Sequence, residues 1–184
     1  MLDPRLPIRI LRAVRSRMAR SIGEVRAASG CYDVVVVSPG GVGTTELIRS
    51  LRQIIRCNEA DDRDGLKHIP DPDLLPAKQR IIFVFDSPEK IVLSLRARKL
   101  LVPQRFKLQV SVLWSSEYFL SLNELVVAQI GRFQDRRRTL LIHYDNLFES
   151  KDQIADFLDL PSQVVAAALP QRKPRTSVGK GKGL

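Results

Sequence analysis

The chain has 184 residues, with 30 Lys and Arg against 20 Asp and Glu and a formal net charge of +10. The excess sits at the ends: residues 1–26 carry Arg5, Arg9, Arg12, Arg15, Arg17, Arg20 and Arg26 against Asp3 and Glu24, and residues 171–184 carry Arg172, Lys173, Arg175, Lys180 and Lys182 with no acid, so residues 27–170 are neutral with 18 charges of each sign. A neutral body excludes a uniformly basic nucleic-acid-binding domain and any specific nucleic-acid partner, two cysteines exclude a disulfide framework, and no apolar run reaches the roughly 18–20 residues of a membrane span.

Within the first 26 residues, Leu11, Val14, Met18, Ile22 and Val25 recur three or four apart, which predicts an amphipathic helix over 1–28. Three readings of it stay open. It packs one face on the domain and solvates the other; it makes peripheral contact with an anionic membrane through residues 1–26; or it is an Arg-rich, acid-poor organelle transit segment. It lacks the apolar core and cleavage site of a secretory signal, so a cytoplasmic location is expected.

Three short, continuously apolar runs follow, at 32–37, 80–85 and 139–144. Runs without alternation suit strands buried on both faces, as in a parallel sheet covered by helices. A helix is expected over 44–57. A second opens at Ser87, Pro88 and Glu89, with Ser as N-cap and Pro at the first helical position. A long one is expected over about 108–136, with Leu113, Leu120, Leu125, Val126 and Ile130 among its apolar positions. Ser150, Lys151, Asp152 and Gln153 read as a capping box ahead of Ile154, Phe157 and Leu158. Strands alternating with helices predict a three-layer α/β/α domain over 29–170 with a short parallel sheet. Residues 59–79, acidic and proline-rich, read as a surface connection. The tail 171–184, with Pro174, Gly179, Gly181 and Gly183, reads as flexible.

The most informative stretch joins the first strand to the first helix of the body: Ser38, Pro39, Gly40, Gly41, Val42, Gly43, Thr44, Thr45. Glycines let the backbone turn tightly and bare its N–H groups, and with the helix N-terminus these make a site for phosphate or sulfate. The hydroxyls of Thr44 and Thr45 add donors. A Walker A loop needs Lys where Thr44 stands, which argues against an ordinary ATPase or kinase.

Gly-Thr-Thr in place of Gly-Lys-Ser/Thr resembles the loop that sulfotransferases place around the 5′-phosphosulfate of their donor. Four further segments resemble that family in the same order: Leu66, Lys67, His68, Ile69 and Pro70; the strand from Arg80 to Asp86 with Ser87, Pro88 and a helix bearing Ser94; Tyr144, Asp145, Asn146 and Leu147; and Phe157, Leu158, Asp159, Leu160 and Pro161. The resemblance covers residues 32–175. It implies a P-loop sulfotransferase-like fold and transfer of a sulfuryl group from 3′-phosphoadenylyl sulfate to a hydroxyl or amine on a small molecule, lipid or glycan, with no metal required. The same likeness implies that Gly40, Gly41, Val42, Gly43, Thr44, Thr45, Ser94, Arg172 and Lys173 bind the donor. His68 is then the general base, with Lys67 supporting developing charge.

An imidazole, with an ordinary pKa of ~6.5, suits proton abstraction near neutrality. His143, inside an apolar strand, reads as a hydrogen-bonded core residue. Trp114, Tyr118 and Phe119 read as core or pocket lining.

Two positions depart from the family. A cation usual just before its Ser-Gly-Thr-Thr is Gly41 here, and an Arg at the end of its second strand is Asp86 here. Arg96, Arg98, Arg172 and Lys173 are the bases available to compensate. Asp86 also supports a rival reading, a Walker B-like Asp with Thr45 on Mg²⁺ in an ATP- or GTP-binding enzyme. A third reading is a non-catalytic binding module of the same fold.

Overall fold

The computed structural model describes residues 6–101 and 121–169, with residues 6–13 in backbone only. The expected helical stretch at 108–120, Trp114, Tyr118, Phe119, Arg172, Lys173 and the tail lie outside the described residues.

Three strands, β1 (Val34–Val37), β2 (Arg80–Phe85) and β3 (Thr139–His143), pair in parallel in the order β1-β2-β3. Val34 stands opposite Arg80, and Ile81 opposite Thr139. Six α-helices accompany them among the described residues: α1 (Leu6–Ala28), α2 (Thr44–Leu51), α3 (Pro88–Ala97), α4 (Leu122–Gln134), α5 (Lys151–Leu158) and α6 (Ser162–Ala168). The architecture is α/β with a small parallel sheet.

Every residue of β1 is fully buried, as a strand without alternation requires. Alternate side chains feed two cores. Val34, Val36, Ile82, Val84 and Ile142 meet Leu47, Ile48 and Leu51 of α2, Ile91 and Leu95 of α3, and Ile154 and Leu158 of α5. Val35, Val37, Ile81 and Phe83 meet Ala27, Tyr32, Leu66, Ile69, Leu75 and Phe133. Phe83 and Phe133 stack with ring centroids 4.4 Å apart.

The outer edge of β1 is closed by two residues. Cys57 bridges Val34 in parallel, and the Asn58 amide then continues the ladder with its side chain. Its Oδ1 accepts from the Val36 N–H at 2.8 Å and its Nδ2 donates to the Val36 carbonyl at 3.1 Å. That satisfies both polar groups of a buried edge residue. The need to bring Cys57 alongside Val34 also ends α2 early, at Leu51 rather than near Cys57. Residues 53–54 donate to carbonyls only three back, and the chain turns away.

Three further expectations change. Ser150 does stand at the N-cap of α5, but its hydroxyl donates to the Asn146 carbonyl at 2.9 Å and caps nothing. The capping box belongs instead to Ser121 and Glu124, which start α4. The long helix expected over 108–136 therefore has a helix start within it, at Leu122. Residues 59–79 are no mere surface connection: Asp64, Leu66, Lys67, Ile69 and Leu75 are buried. Asp64 organises this segment by accepting from the Tyr32 hydroxyl at 3.0 Å and from the N–H groups of Glu59 and Leu66. Burial pushes its carboxyl above the usual range, and the two N–H donors partly offset that.

α1 docks on this segment by small residues. Gly23 and Ala27 are buried, and a Cβ on Gly23 would lie 2.1 Å from the Asp64 carbonyl oxygen. Gly65, at φ +67°, answers from the other side, where a Cβ would come within 2.6 Å of the Arg20 main-chain nitrogen. The apolar stripe picked out by the spacing is not the docked face, since Val14, Met18, Ile22 and Val25 are all exposed. A contact this close between backbones has no room for a methyl group. Gly23→Ala is expected to lower stability by about 1–3 kcal/mol through overpacking, measured by urea denaturation; an unchanged midpoint would mean that α1 does not dock at Asp64.

Candidate functional site

All three strands run parallel, so the connections that follow them leave the same edge of the sheet. In open α/β sheets that edge is where ligands bind. The loop after β1 turns on three glycines, with φ of +102° at Gly40, +79° at Gly41 and +69° at Gly43. Gly43 is the N-cap of α2 and no side chain caps that helix. The N–H groups of Thr44 and Thr45 open its first turn, where no intrahelical acceptor exists and the positive end of the helix dipole lies.

Inside the turn, the Ser38 hydroxyl accepts from the Gly40 N–H at 3.3 Å and shares a 3.1 Å hydrogen bond with the Thr44 hydroxyl. Val42 contributes backbone only, because its side chain is buried in the core.

Lys67 and His68 meet this loop from the segment under α1. The Ser38 N–H donates to the Lys67 carbonyl at 2.9 Å. His68 Nδ1 donates to the Ser38 carbonyl at 2.8 Å. A carbonyl oxygen can only accept, so the neutral ring carries its proton on Nδ1 and Nε2 is the basic nitrogen. The buried Lys67 ammonium donates to the Thr45 hydroxyl and, at 2.9 Å, to the Ala60 carbonyl. An amine is thereby held beside the first turn of α2, although the loop itself has none.

The helix after β2 closes a second side. The Ser94 hydroxyl donates to the Gly41 carbonyl at 3.2 Å, and Arg98 Nη2 donates to the Ser94 hydroxyl at 3.3 Å. A Cβ on Gly41 would lie 3.2 Å from Arg98 Nη2 and 3.3 Å from Ser94. A third side comes from beyond β3, where Tyr144 approaches so closely that a Cβ on Gly43 would lie 3.0 Å from its ring.

Asp86, at the end of β2, is 1% exposed. It accepts from the Ser87 N–H at 2.7 Å and lies 3.5 Å from both Lys90 Nζ and His143 Nε2. Lys90 also donates to Asp145 at 3.1 Å, and the two carboxylates, Asp145 foremost, hold its ammonium above the ordinary range. His143 is half-buried at the strand end. Its Nδ1 accepts from the Asp145 N–H at 3.3 Å, which puts the ring proton on Nε2, facing Asp86. Ligand atoms of Asp86, His143 and Asp145 all lie within 4.8 Å of one another.

The site residues expected from sequence are thus gathered where described: Gly40, Gly41, Val42, Gly43, Thr44, Thr45, Lys67, His68 and Ser94 form one cluster. Arg172 and Lys173 lie outside the described residues. Of the bases considered as compensation, Arg98 reaches the loop. Lys90 was not singled out, yet Lys90, Ser94 and Arg98 repeat at four-residue spacing, which puts them on one face of α3. That periodicity was the available signal. Tyr144 gave none, because its approach to Gly43 is purely tertiary.

No family model, curated protein or solved structure matches this chain. The site is therefore read from its own residues. Among the described residues, no helix is long and apolar enough to cross a membrane.

Two glycines separate strain from contact. Gly43 and Gly30 both have positive φ, but a Cβ on Gly30 meets nothing within 4 Å. Gly30→Ala should cost about 1–2 kcal/mol from the left-handed backbone alone. Gly43→Ala should cost more in the same urea titration, because the methyl group also meets Tyr144. Equal costs would mean that Tyr144 does not rest on the loop.

Proposed function

We propose that this chain is a P-loop sulfotransferase-like enzyme, transferring a sulfuryl group from 3′-phosphoadenylyl sulfate to a hydroxyl or amine acceptor. The observation that carries the reading is the fixed position of His68 at the glycine loop, with Nδ1 donating to the Ser38 carbonyl, which makes Nε2 the basic nitrogen of the neutral ring. A histidine held by a backbone carbonyl at an anion-type loop fits proton removal from an acceptor at an anionic donor.

The residues present fit such a donor. A left-handed glycine turn and the first-turn N–H groups of α2 suit its phosphosulfate. Ser94, beside Arg98, suits the 3′-phosphate. When bound, the donor supplies a sulfuryl group whose departure leaves 3′-phosphoadenosine 5′-phosphate. His68 Nε2 takes the acceptor's proton as the acceptor's new bond to sulfur forms. Lys67 and the N–H groups stabilise charge on the departing side, an electrostatic contribution of several kcal/mol in enzymes of this kind.

The two departures from the family have counterparts in space. The cation absent at position 41 has a counterpart in Arg98, whose Nη2 lies 3.2 Å from where a Cβ at that position would stand. The carboxylate of Asp86 faces Lys90, which partly answers the repulsion it would exert on an anion. Among the described residues, none beyond His68 is assigned to the acceptor side. Larger sulfotransferases use more chain there, and a partner or a membrane surface would complete it here.

The grouping of Asp86, His143 and Asp145 favours a second reading, an ATP- or GTP-Mg²⁺ enzyme with Thr45 on the metal. Against it, Lys67 occupies the Thr45 hydroxyl, and the Asp145 N–H directs the His143 ring proton toward Asp86.

Thermal stabilisation distinguishes the two. Under the first reading, 3′-phosphoadenosine 5′-phosphate at ~100 times its Kd adds about 2.7 kcal/mol, and ATP-Mg²⁺ does not. A Mg²⁺-dependent shift with ATP alone supports the second, and no shift with either ligand sinks both. His68→Ala is expected to keep the bisphosphate shift while turnover falls about 10²–10⁴-fold. Unchanged turnover refutes the base assignment, and bisphosphate binding without turnover in the unaltered chain indicates a non-catalytic module.

A further inference from the structure

We propose that α1 seats on an anionic lipid bilayer surface through the face made by Val14, Met18, Ile22 and Val25. The proposal stands apart from the enzymatic reading, because it uses none of the residues at the glycine loop.

The helix has two faces with opposite roles. At about 100° per residue, Arg20, Gly23 and Ala27 fall on one side, and these are the buried positions, pressed on Asp64, Gly65 and Leu66. Val14, Met18, Ile22 and Val25 fall on the other side and are 52%, 63%, 58% and 68% exposed. Exposed large apolar residues are ordinary when scattered. Here four of the eight exposed large hydrophobics among the described residues lie in one stripe of one helix. The domain spends the small-residue face on its own docking and leaves the apolar face outward.

Charge selects the occupant. Exposed Arg15 flanks the stripe on one side and exposed Arg17 on the other. Glu24, the one acid of residues 14–28, is half-buried, with Arg20 its stronger and Arg17 its weaker charge partner, so the arginines still outnumber it. Residues 1–26 carry a net +5, while the body beyond them is neutral. A nucleic acid would pair with the arginines and leave the apolar stripe in water. A second copy of the helix would cover the stripe but bring like-charged arginine rims together. An anionic bilayer answers both features, since the stripe enters the acyl boundary while the rims stay among the headgroups.

The test is sedimentation of the full chain with vesicles of phosphatidylcholine plus phosphatidylserine and with vesicles of phosphatidylcholine alone. The chain is expected to partition onto the anionic vesicles and about tenfold or more weakly onto the neutral ones. Met18→Ser with Ile22→Ser keeps every charge and should weaken binding about tenfold or more, as should Arg15→Gln with Arg17→Gln. All four positions are exposed, so the thermal midpoint should not move; Val14→Ser with Val25→Ser gives a second, independent probe of the same face. No partition of the unaltered chain onto anionic vesicles overturns the proposal. So does undiminished binding by both serine pairs, which would mean adsorption by charge alone. A chain that ignores vesicles but runs as a dimer, and as a monomer once Met18 and Ile22 are serine, assigns the face to a second copy instead. The nucleotide-induced thermal shift is read on the same variants and should be unaffected, so the two proposals can fail separately.

Discussion

Ser38 leaves the carboxyl end of β1 fully buried, and its two backbone groups must find partners inside the protein. Both go to one dipeptide: the N–H to the Lys67 carbonyl and the carbonyl to the His68 ring. Its hydroxyl then faces the other way, to the Gly40 N–H and Thr44. One serine thus fixes the exit of the strand, the start of the glycine turn and the N-terminus of α2 against the segment carrying the basic side chains. Glycine supplies conformational freedom and no side-chain contacts, so the turn is held from outside, by Ser38, by the Ser94 hydroxyl on the Gly41 carbonyl and by Tyr144 against Gly43.

The dipeptide is itself held from below. Asp62 accepts from the Lys67 N–H at 3.0 Å, and Asp64 gathers Tyr32, Glu59 and Leu66. A buried carboxylate is tolerable only when donors surround it, and three do. The same turn presents Gly65 and the Asp64 carbonyl to α1, whose Gly23 lets two backbones touch. The N-terminal helix is therefore a support for the segment 64–68 as well as an exposed surface. A change at Gly23 would reach the loop through Leu66 and Lys67, with no direct contact between α1 and the glycines needed.

The parts of this protein legible in sequence are those with local causes. Three unbroken apolar runs announced the three strands, and β1 and the middle of β2 are buried on both faces as expected, whereas in β3, at the sheet edge, only Ile142 is fully buried. Ser87 and Pro88 announced the start of α3, and the glycines of 40–43 announced a turn that only left-handed backbone completes. What was not legible depends on partners far away in the chain. Residues 59–79 look like a polar connection because their acids and prolines dominate the composition, yet Leu66, Ile69 and Leu75 fill the core beneath β1 and β2. The α1 stripe followed the rule that apolar periodicity marks the buried face, but backbone proximity at Gly23 decided the docking instead. Ser150 matched a capping pattern whose hydroxyl had a nearer acceptor in Asn146. The clamp on His68 left no trace in spacing, since Ser38 contributes main-chain atoms that any residue possesses.

Charge around the loop illustrates the same distinction. Judged by position in the sequence, Gly41 and Asp86 remove one cation and add one anion where an anionic donor would lie. Judged in space, α3 and its C-cap offset both: Lys90 stands 3.5 Å from Asp86, and Arg98 Nη2 lies 3.2 Å from the Cβ site of Gly41. Ser94 between them ties α3 to the loop through the Gly41 carbonyl. The replacement is not equivalent in kind. A cation built into the loop is fixed by the loop's backbone, whereas Arg98 is an exposed side chain just past the end of α3, anchored by hydrogen bonds to the carbonyl and hydroxyl of Ser94. Its guanidinium loses less rotamer freedom per bond than a lysine would, but more than a residue already ordered by the turn. An anion at this loop would therefore meet backbone donors and a buried Lys67 ammonium that are already held in place, and an exposed Arg98 whose ordering is completed as the anion arrives.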